Sequence, residues 1–169
     1  MCLESVVINE FGIRVSNNKK IKHQKIGFTV MIRKFHDPYQ RYPLFKSCYT
    51  CVHTDYREYS INTRNKCKSR NIIALDGETY IAGFHCFHTI VDTLNFLVCG
   101  VVKSALLRGE KLVIVKCLLE GFLCTGTQIV HRGHYGTHRF YKEYYAPCTV
   151  AKYRTILEEV DLRWKATQK

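Results

Sequence analysis

A tight turn, a β-rich run and the start of a helix follow one another between residues 76 and 88, and this succession constrains the fold more than any other segment of the chain. Asp76-Gly77 is typical of a two-residue hairpin turn. The run from Tyr80 to Phe87 is rich in aromatic and apolar residues, which favours a strand. Apolar residues then recur every three or four positions, so we predict one principal amphipathic helix over about 89–108.

Short β-branched and aromatic segments elsewhere in the chain predict strands. The clearest is Gly27–Arg33, which follows a basic, polar stretch. Two prolines make residues 36–44 a loop. Further strands are predicted at 56–61, 71–75, 111–119, 128–131, 137–145 and 149–157. The sum is an α+β fold, in which a curved and mostly antiparallel sheet holds one principal helix.

The length of 169 residues suits one domain, because a single core grows to this size and two cores would each be small. We therefore expect a single α+β domain over residues 1–169. Residues 36–70 contain many basic residues and several cysteines, and we interpret them as an insertion into that domain.

The charge balance favours partners that carry dense negative charge. Lys and Arg number 26 against 14 acidic residues, which gives a net charge of +12. Nucleic acids, nucleotides and ribonucleoproteins fit such a balance. A solvated basic surface with no partner would give the same composition.

The cysteines favour a reducing compartment. Their number, nine, is odd, and they lack the dense spacing of a small secreted disulfide scaffold. The N-terminal residues show no basic region leading into an apolar stretch, and the longest apolar run, 89–107, contains polar and charged residues. We expect a cytoplasmic protein with no membrane segment.

Two groups of cations and nearby tyrosines are candidates for binding nucleic acid or another anion. Arg64, Lys66, Lys68 and Arg70 alternate with other residues, so an extended backbone places all four on one face, where they can follow successive phosphates. Lys19, Lys20, Lys22 and Lys25 form a second basic cluster. Tyr56 and Tyr59 could stack on bases. The alternative is a solvated basic loop whose tyrosines only pack.

One cysteine pair has the spacing of half a zinc site. Two residues separate Cys48 from Cys51, and His53 follows, so these side chains could reach one tetrahedral ion. Cys67, or the set His85, Cys86 and His88, could complete the site. Nine cysteines also make one accidental pair easy to obtain, so zinc is only a possible cofactor.

The order of several short motifs resembles a group of small uncharacterised proteins carried by phages and bacteria. The chain begins Met-Cys-Leu, has a Gly-Phe-Thr-Val strand, and reads Tyr-x-x-Gly-Phe-His-x-Phe from Tyr80 to Phe87. The resemblance covers about residues 1–33 and 76–155. It implies a phage-type accessory protein in the host cytoplasm, one that counters a host defence, and it implies no established active site.

A second resemblance is to the ADP-ribosyltransferase-like fold. In that fold a Gly-Phe-Tyr-like strand precedes a helix, as Gly83-Phe84-His85 does here, and another strand ends in an Arg or His that holds nicotinamide ribose, where Arg33 would stand. Such transferases use a late Glu to stabilise the charge that develops on the ribose. The Glu residues of the C-terminal third lie in no motif of that kind.

Three residues would carry catalysis if the protein is an enzyme. His85 could transfer protons, with Arg33 holding an anionic substrate. Cys2 would become a terminal nucleophile if Met1 is removed. The enzyme would act on a nucleotide or a protein.

Two main hypotheses therefore stand. The preferred one is a binding protein whose basic residues engage nucleic acid, a nucleotide signal or a host ribonucleoprotein. The alternative is the enzyme just described, and a zinc-stabilised interaction module is a third hypothesis. The oligomeric state and the choice between RNA and DNA stay open.

Overall fold

Strands dominate the molecule, and the described part of the chain has one short helix. The computed structural model describes residues 5–7, 24–34, 43–47, 58–68, 71–73, 77, 79–97, 111–132 and 142–161. In chain order the elements are β1 (Ser5–Val7), β2 (Ile26–Arg33), β3 (Leu44–Ser47), β4 (Glu58–Ser60), β5 (Arg64–Lys66), β6 (Asn71–Ile73), β7 (Thr79–Ile81), β8 (Phe84–Phe87), α1 (Ile90–Leu97), β9 (Lys111–Arg132) and β10 (Lys142–Glu159). The described part of the protein is a small domain of mostly antiparallel sheet with one helix.

Two long strands, β9 and β10, form the centre of the sheet. They contain 22 and 18 residues and pair antiparallel along almost their whole length. The predicted break between residues 119 and 128 is wrong. Gly121 adopts a left-handed φ of 62° inside the strand, so the chain bends there and continues instead of turning away. The pairing also shifts by one residue at two places, and such bulges increase the twist of a sheet.

The sheet curves until it closes on itself. One edge of β9 pairs with β10, and the other pairs with β2 along its first part and with β1 further on. Strand β8 pairs with β10 and, through Phe28 and Phe87, with β2. Strands β2, β9, β10 and β8 therefore form a closed circuit of neighbours. The predicted curved, mostly antiparallel sheet is confirmed.

The main core lies inside this curve. Its buried residues are Met31, Phe45, Tyr59, Phe84, Cys86, Val113, Val115, Cys117, Leu119, Ala151 and Ile156. A smaller cluster of Tyr80, Cys124, Cys148 and Val150 packs elsewhere. Gly27 lets two strands approach in the main core, because a β carbon on it would lie 2.7 Å from the Cβ of Cys86.

The helix begins as the sequence predicts. The backbone N–H of Asp92 donates to Oγ1 of Thr89 at 3.0 Å, and the Thr89 hydroxyl donates to the Asp92 carboxylate at 2.6 Å. Helix α1 covers Ile90–Leu97, and the remainder of the predicted helix, 98–108, lies outside the described residues. No helix in the described part of the chain is both long and apolar enough to cross a membrane.

Gly77 lies between two paired strands, but the run after it is divided. Strands β6 and β7 pair antiparallel, and Gly77 between them has a φ of 86°. The predicted single strand from Tyr80 to Phe87 is two strands, because β7 pairs with β6 while β8 joins the main sheet. A β carbon on Gly83, which separates them, would lie 2.5 Å from the Ala151 carbonyl oxygen.

The segment 36–70, which we interpreted as an insertion, contributes three strands to the main sheet. Strand β3 pairs with β2 and with β4, and β5 pairs with β10. Strand β3 begins at Leu44, so the predicted loop ends by that residue, and 35–42 lie outside the described residues.

Candidate functional site

The segment from Arg64 to Lys68 presents its cations to solvent. Arg64, Lys66 and Lys68 are exposed, whereas the two residues between them are half-buried. Strand β5 pairs with β10, which places Lys66 opposite Tyr153. The predicted alternation is therefore present at these three cations. We call Arg64, Lys66, Lys68, Lys152 and Tyr153 the basic face.

Tyr153 is the aromatic centre of the basic face. The Arg64 guanidinium lies 3.9 Å from the centroid of the Tyr153 ring, and the Lys152 ammonium lies 5.7 Å from it. Arg64 also donates to Glu120, from Nε at 2.9 Å and from Nη2 at 3.4 Å. Arg64 is thus held in a fixed orientation over the ring, and Glu120 partly neutralises its charge.

A cleft of about 410 Å³ adjoins the basic face. It is lined by Gln24, Lys25, Leu118, Leu119, Glu120, Gly121, Phe122, Thr149 and Ala151. Lys25 is exposed, and Glu120 belongs both to the cleft lining and to the ion pair with Arg64. The volume is within the range of small-molecule sites in proteins. The cleft therefore combines an apolar lining with a cation and lies beside further cations.

Hydrogen bonds hold one wall of the cleft together. The Thr149 hydroxyl accepts from the backbone N–H of Gln24 at 3.2 Å and is bonded to Nε2 of His88 at 2.8 Å. Burial lowers the pKa of His88, while the charge of Asp92 opposes that shift. Thr149 is only 1% exposed, so its hydroxyl fixes the wall and is not presented to a ligand.

The residues predicted for an enzyme have separate structural partners. His85 is buried between the Tyr80 hydroxyl and the Gly83 carbonyl, each 3.1 Å away, and its burial lowers its pKa to about 3. The carbonyl can only accept, so Nδ1 of His85 donates and Nε2 accepts from Tyr80. Arg33 is paired with Glu159 at 3.3 Å. Cys2 lies outside the described residues.

The predicted zinc ligands are not seen together. Cys48, Cys51 and His53 lie outside the described residues. Cys67 is half-buried, and its thiol faces the carbonyl oxygens of Ala82 and Ala151 at 3.8 and 3.9 Å. Within the described residues, no group of three or more His, Cys, Asp or Glu side chains could hold a metal ion.

The other predicted binding residues divide into three sets. Lys25 is exposed in the cleft. Tyr59 is 5% exposed and packs edge to face against Phe84, so its ring belongs to the core. The remaining residues, Lys19, Lys20, Lys22, Tyr56 and Arg70, lie outside the described residues.

Sequence reasoning missed Arg154, a buried arginine in the sheet. It is 6% exposed, and its guanidinium lies 4.9 Å from the centroid of the Tyr59 ring and 4.4 Å from that of Phe84. One signal could have indicated its burial. Arg154 and Ile156 are two residues apart in the same strand, so their side chains lie on one face, and the apolar Ile156 indicates that this face is buried.

Comparison with models of known protein families, with curated proteins and with solved structures finds no match for this chain. The function must therefore be inferred from the geometry of its own residues.

Proposed function

We propose that the protein binds single-stranded nucleic acid, with the sugar-phosphate backbone on the basic face and a base or nucleotide end in the adjoining cleft. The observation that carries this proposal is the exposed alternation of Arg64, Lys66 and Lys68 along an extended segment. Alternate residues of a strand are roughly 7 Å apart, which lets neighbouring phosphates each meet a cation.

Two further features favour a nucleic acid over a solvated basic surface. Tyr153 lies among the cations with the Arg64 guanidinium over its ring, and both aromatic rings and guanidinium planes stack with bases. The cleft adjoins these cations through Glu120 and has apolar side chains in its lining. Charge, an aromatic ring and a cavity of nucleotide size thus occur together.

The resemblance to phage accessory proteins fits the same proposal. A counter-defence protein can act by covering a nucleic acid, a nucleotide signal or a host ribonucleoprotein, and each of these presents phosphate groups. We propose the polymer as the ligand because the basic face extends along several residues, beyond the span of one phosphate.

The test is fluorescence anisotropy with labelled single-stranded RNA and DNA of mixed sequence. The variant Lys66→Glu/Lys68→Glu should bind at least about tenfold more weakly, and its log–log dependence on salt should be shallower by roughly 0.7 for each phosphate that is no longer neutralised. The matched control is Lys34→Glu/Lys111→Glu, which makes the same charge change at two exposed lysines at the ends of β2 and β9, away from the basic face.

Equal losses of affinity in the two double variants would overturn the proposal, because binding would then depend on net charge alone. Competition with a free mononucleotide shows whether the protein prefers the polymer or a single nucleotide. If the mononucleotide displaces the polymer at equal phosphate concentration, the cleft and not the basic face carries the affinity.

A further inference from the structure

A carboxylate lies within the surface that we propose for nucleic acid, where phosphates would repel it. Glu120 lines the cleft and accepts hydrogen bonds from Arg64 of the basic face. A surface that only held phosphates would bind them more tightly with a neutral residue at this position. Phosphate binding alone therefore does not account for Glu120.

The strand register places Glu120 between the cations and the cleft. Glu120 on β9 pairs with Tyr153 on β10, and Tyr153 pairs with Lys66 on β5. Residues that pair directly in an antiparallel sheet have their side chains on the same face. The three residues form a row that spans about 10 Å, because neighbouring strands are about 4.8 Å apart. Lys66 is at one end of this row, and Glu120 is at the end next to the cleft.

Arg64 orients the Glu120 carboxylate and leaves part of its hydrogen-bonding capacity for a ligand. Nε of Arg64 donates to Oε2 at 2.9 Å, and Nη2 donates to Oε1 at 3.4 Å. Each carboxylate oxygen has two lone pairs, so the contact with Arg64 uses half of this capacity. The Glu120 side chain is 41% exposed, which puts the carboxylate within reach of a ligand.

The chemistry of a carboxylate restricts which part of a nucleic acid it can bind. An ionised carboxylate only accepts hydrogen bonds, so its partner must be a donor. Phosphate oxygens and the sugar ring oxygen are acceptors. Inside a sugar-phosphate chain the donor is the ribose 2′-hydroxyl, which RNA has and DNA lacks. The sugar also has the matching position, because it lies between phosphate and base, as Glu120 lies between the basic face and the cleft.

We propose that Glu120 accepts a hydrogen bond from a ribose 2′-hydroxyl and thereby makes the protein selective for single-stranded RNA over DNA. This inference rests on the proposed function, since it requires phosphates on the basic face. With RNA, the hydrogen bond offsets the repulsion between Glu120 and the phosphates. With DNA, the repulsion is not compensated, so the same carboxylate weakens binding of that polymer.

Donors on the base edges are the other nucleic-acid groups that Glu120 could bind. They are shared by RNA and DNA, and they differ from one base to another. A bond to the sugar therefore predicts a preference for RNA at every sequence. A bond to a base predicts a sequence preference that is the same in both polymers.

Fluorescence anisotropy with three labelled oligonucleotides of one sequence tests the proposal. The probes are oligouridylate RNA, its 2′-deoxy form and its 2′-fluoro form, which have the same bases and the same number of phosphates. The 2′-fluoro group keeps an RNA-like sugar conformation but cannot donate a hydrogen bond. We expect the wild-type protein to bind the RNA about tenfold more tightly than either of the other probes, as for one hydrogen bond to a charged group.

Two variants assign the preference to Glu120. Glu120→Ala removes the acceptor and its charge, so RNA and DNA should bind within about twofold of each other, mainly because DNA binds more tightly. The matched control is Glu158→Ala. Glu158 is exposed and accepts from Lys116 at 2.9 Å, roughly 13 Å along β9 from Glu120. This control should keep the full preference for RNA.

The outcomes distinguish failure of this inference from failure of the proposed function. Equal binding of all three probes, or equal binding of the RNA and its 2′-fluoro form, would overturn the role of the hydroxyl donor while nucleic-acid binding remained. These comparisons use the wild-type protein and do not depend on the folding of a variant. A preference for RNA that persists in Glu120→Ala would overturn the assignment to Glu120. Failure to bind any probe would overturn the proposed function and this inference with it.

Discussion

The two sides of β10 treat an arginine in opposite ways. On the outside, Arg64 reaches over Tyr153 to a carboxylate, and its side chain is 55% exposed. On the inside, Arg154 is 6% exposed, and its guanidinium lies over the rings of Tyr59 and Phe84. Exposed ion pairs contribute little to stability, while truncation of a large buried side chain costs several kcal/mol. The well-formed ion pair of Arg64 with Glu120 is therefore dispensable for stability, whereas the buried packing of Arg154 is not.

The largest effect should come from truncating the inner arginine. Arg154→Ala leaves a cavity between Tyr59 and Phe84 and removes the contacts of the guanidinium with both rings, so we expect a loss of about 3–4 kcal/mol in the free energy of unfolding. Urea unfolding of the reduced protein measures it. Arg64→Ala is the control and should cost no more than about 1 kcal/mol. Equal costs would abolish the contrast between the two sides.

Adding a methyl group in the interior of the sheet should lower the free energy of unfolding nearly as much. Gly27→Ala places a methyl group 2.7 Å from the Cβ of Cys86, and overpacking of this kind costs about 2–3 kcal/mol. The comparison is Gly77→Ala, which meets no atom within 4 Å but has a φ of 86°, so it should cost about 1 kcal/mol through backbone strain alone. Thermal unfolding of both variants ranks them, and the reverse order would contradict the tight approach of β2 and β8.

A buried neutral histidine should make stability depend on pH. The folded pKa of His85 is about 3, below its ordinary value of 6.5, so the unfolded chain takes up a proton first as the pH falls. Stability should therefore decrease below about pH 6.5, by about 2 kcal/mol between pH 7 and pH 5 from this group alone. Denaturant titrations at several pH values test this. His85→Gln should flatten the curve by that amount, and an unchanged slope would mean that His85 is not buried neutral.

The smallest effect on stability should come from the ion pair between Arg64 and Glu120. Affinity for nucleic acid is the more informative measurement for this pair. Glu120→Gln removes the partner of Arg64 at a cost of at most about 1 kcal/mol. It also leaves the Arg64 charge unneutralised, so affinity for single-stranded nucleic acid should increase several-fold if the basic face is the binding surface. A decrease in affinity would indicate that Glu120 positions Arg64 for binding.

Sequence patterns predicted the parts of the fold that depend on local chemistry. Strand β2 and the Thr89 cap follow from β-branched residues and from a hydroxyl placed before a helix, which need no distant partner. The continuous β9 was missed, because Gly121 normally interrupts a strand and only the pairing with β10 carries the chain through it.

The candidate sites were predictable to a different extent. The alternation of Arg64, Lys66 and Lys68 could be recognised, because alternate residues of an extended segment lie on the same face and are exposed together. The pairing of Arg64 with Glu120 could not, since these residues lie on β5 and β9, which are brought close only because both strands pair with β10.

The position of β9 has a consequence for how the chain folds during synthesis. Strands β1 and β2 both pair with β9, so Ser5 and Ile26 find their partners only at Thr127 and Leu118. On a ribosome these strands emerge long before their partner exists, and β2 carries four consecutive residues that end up buried. Such long-range pairing slows folding and leaves strand edges open to other chains. Strands β1 and β2 therefore stay without these partners until β9 has been made.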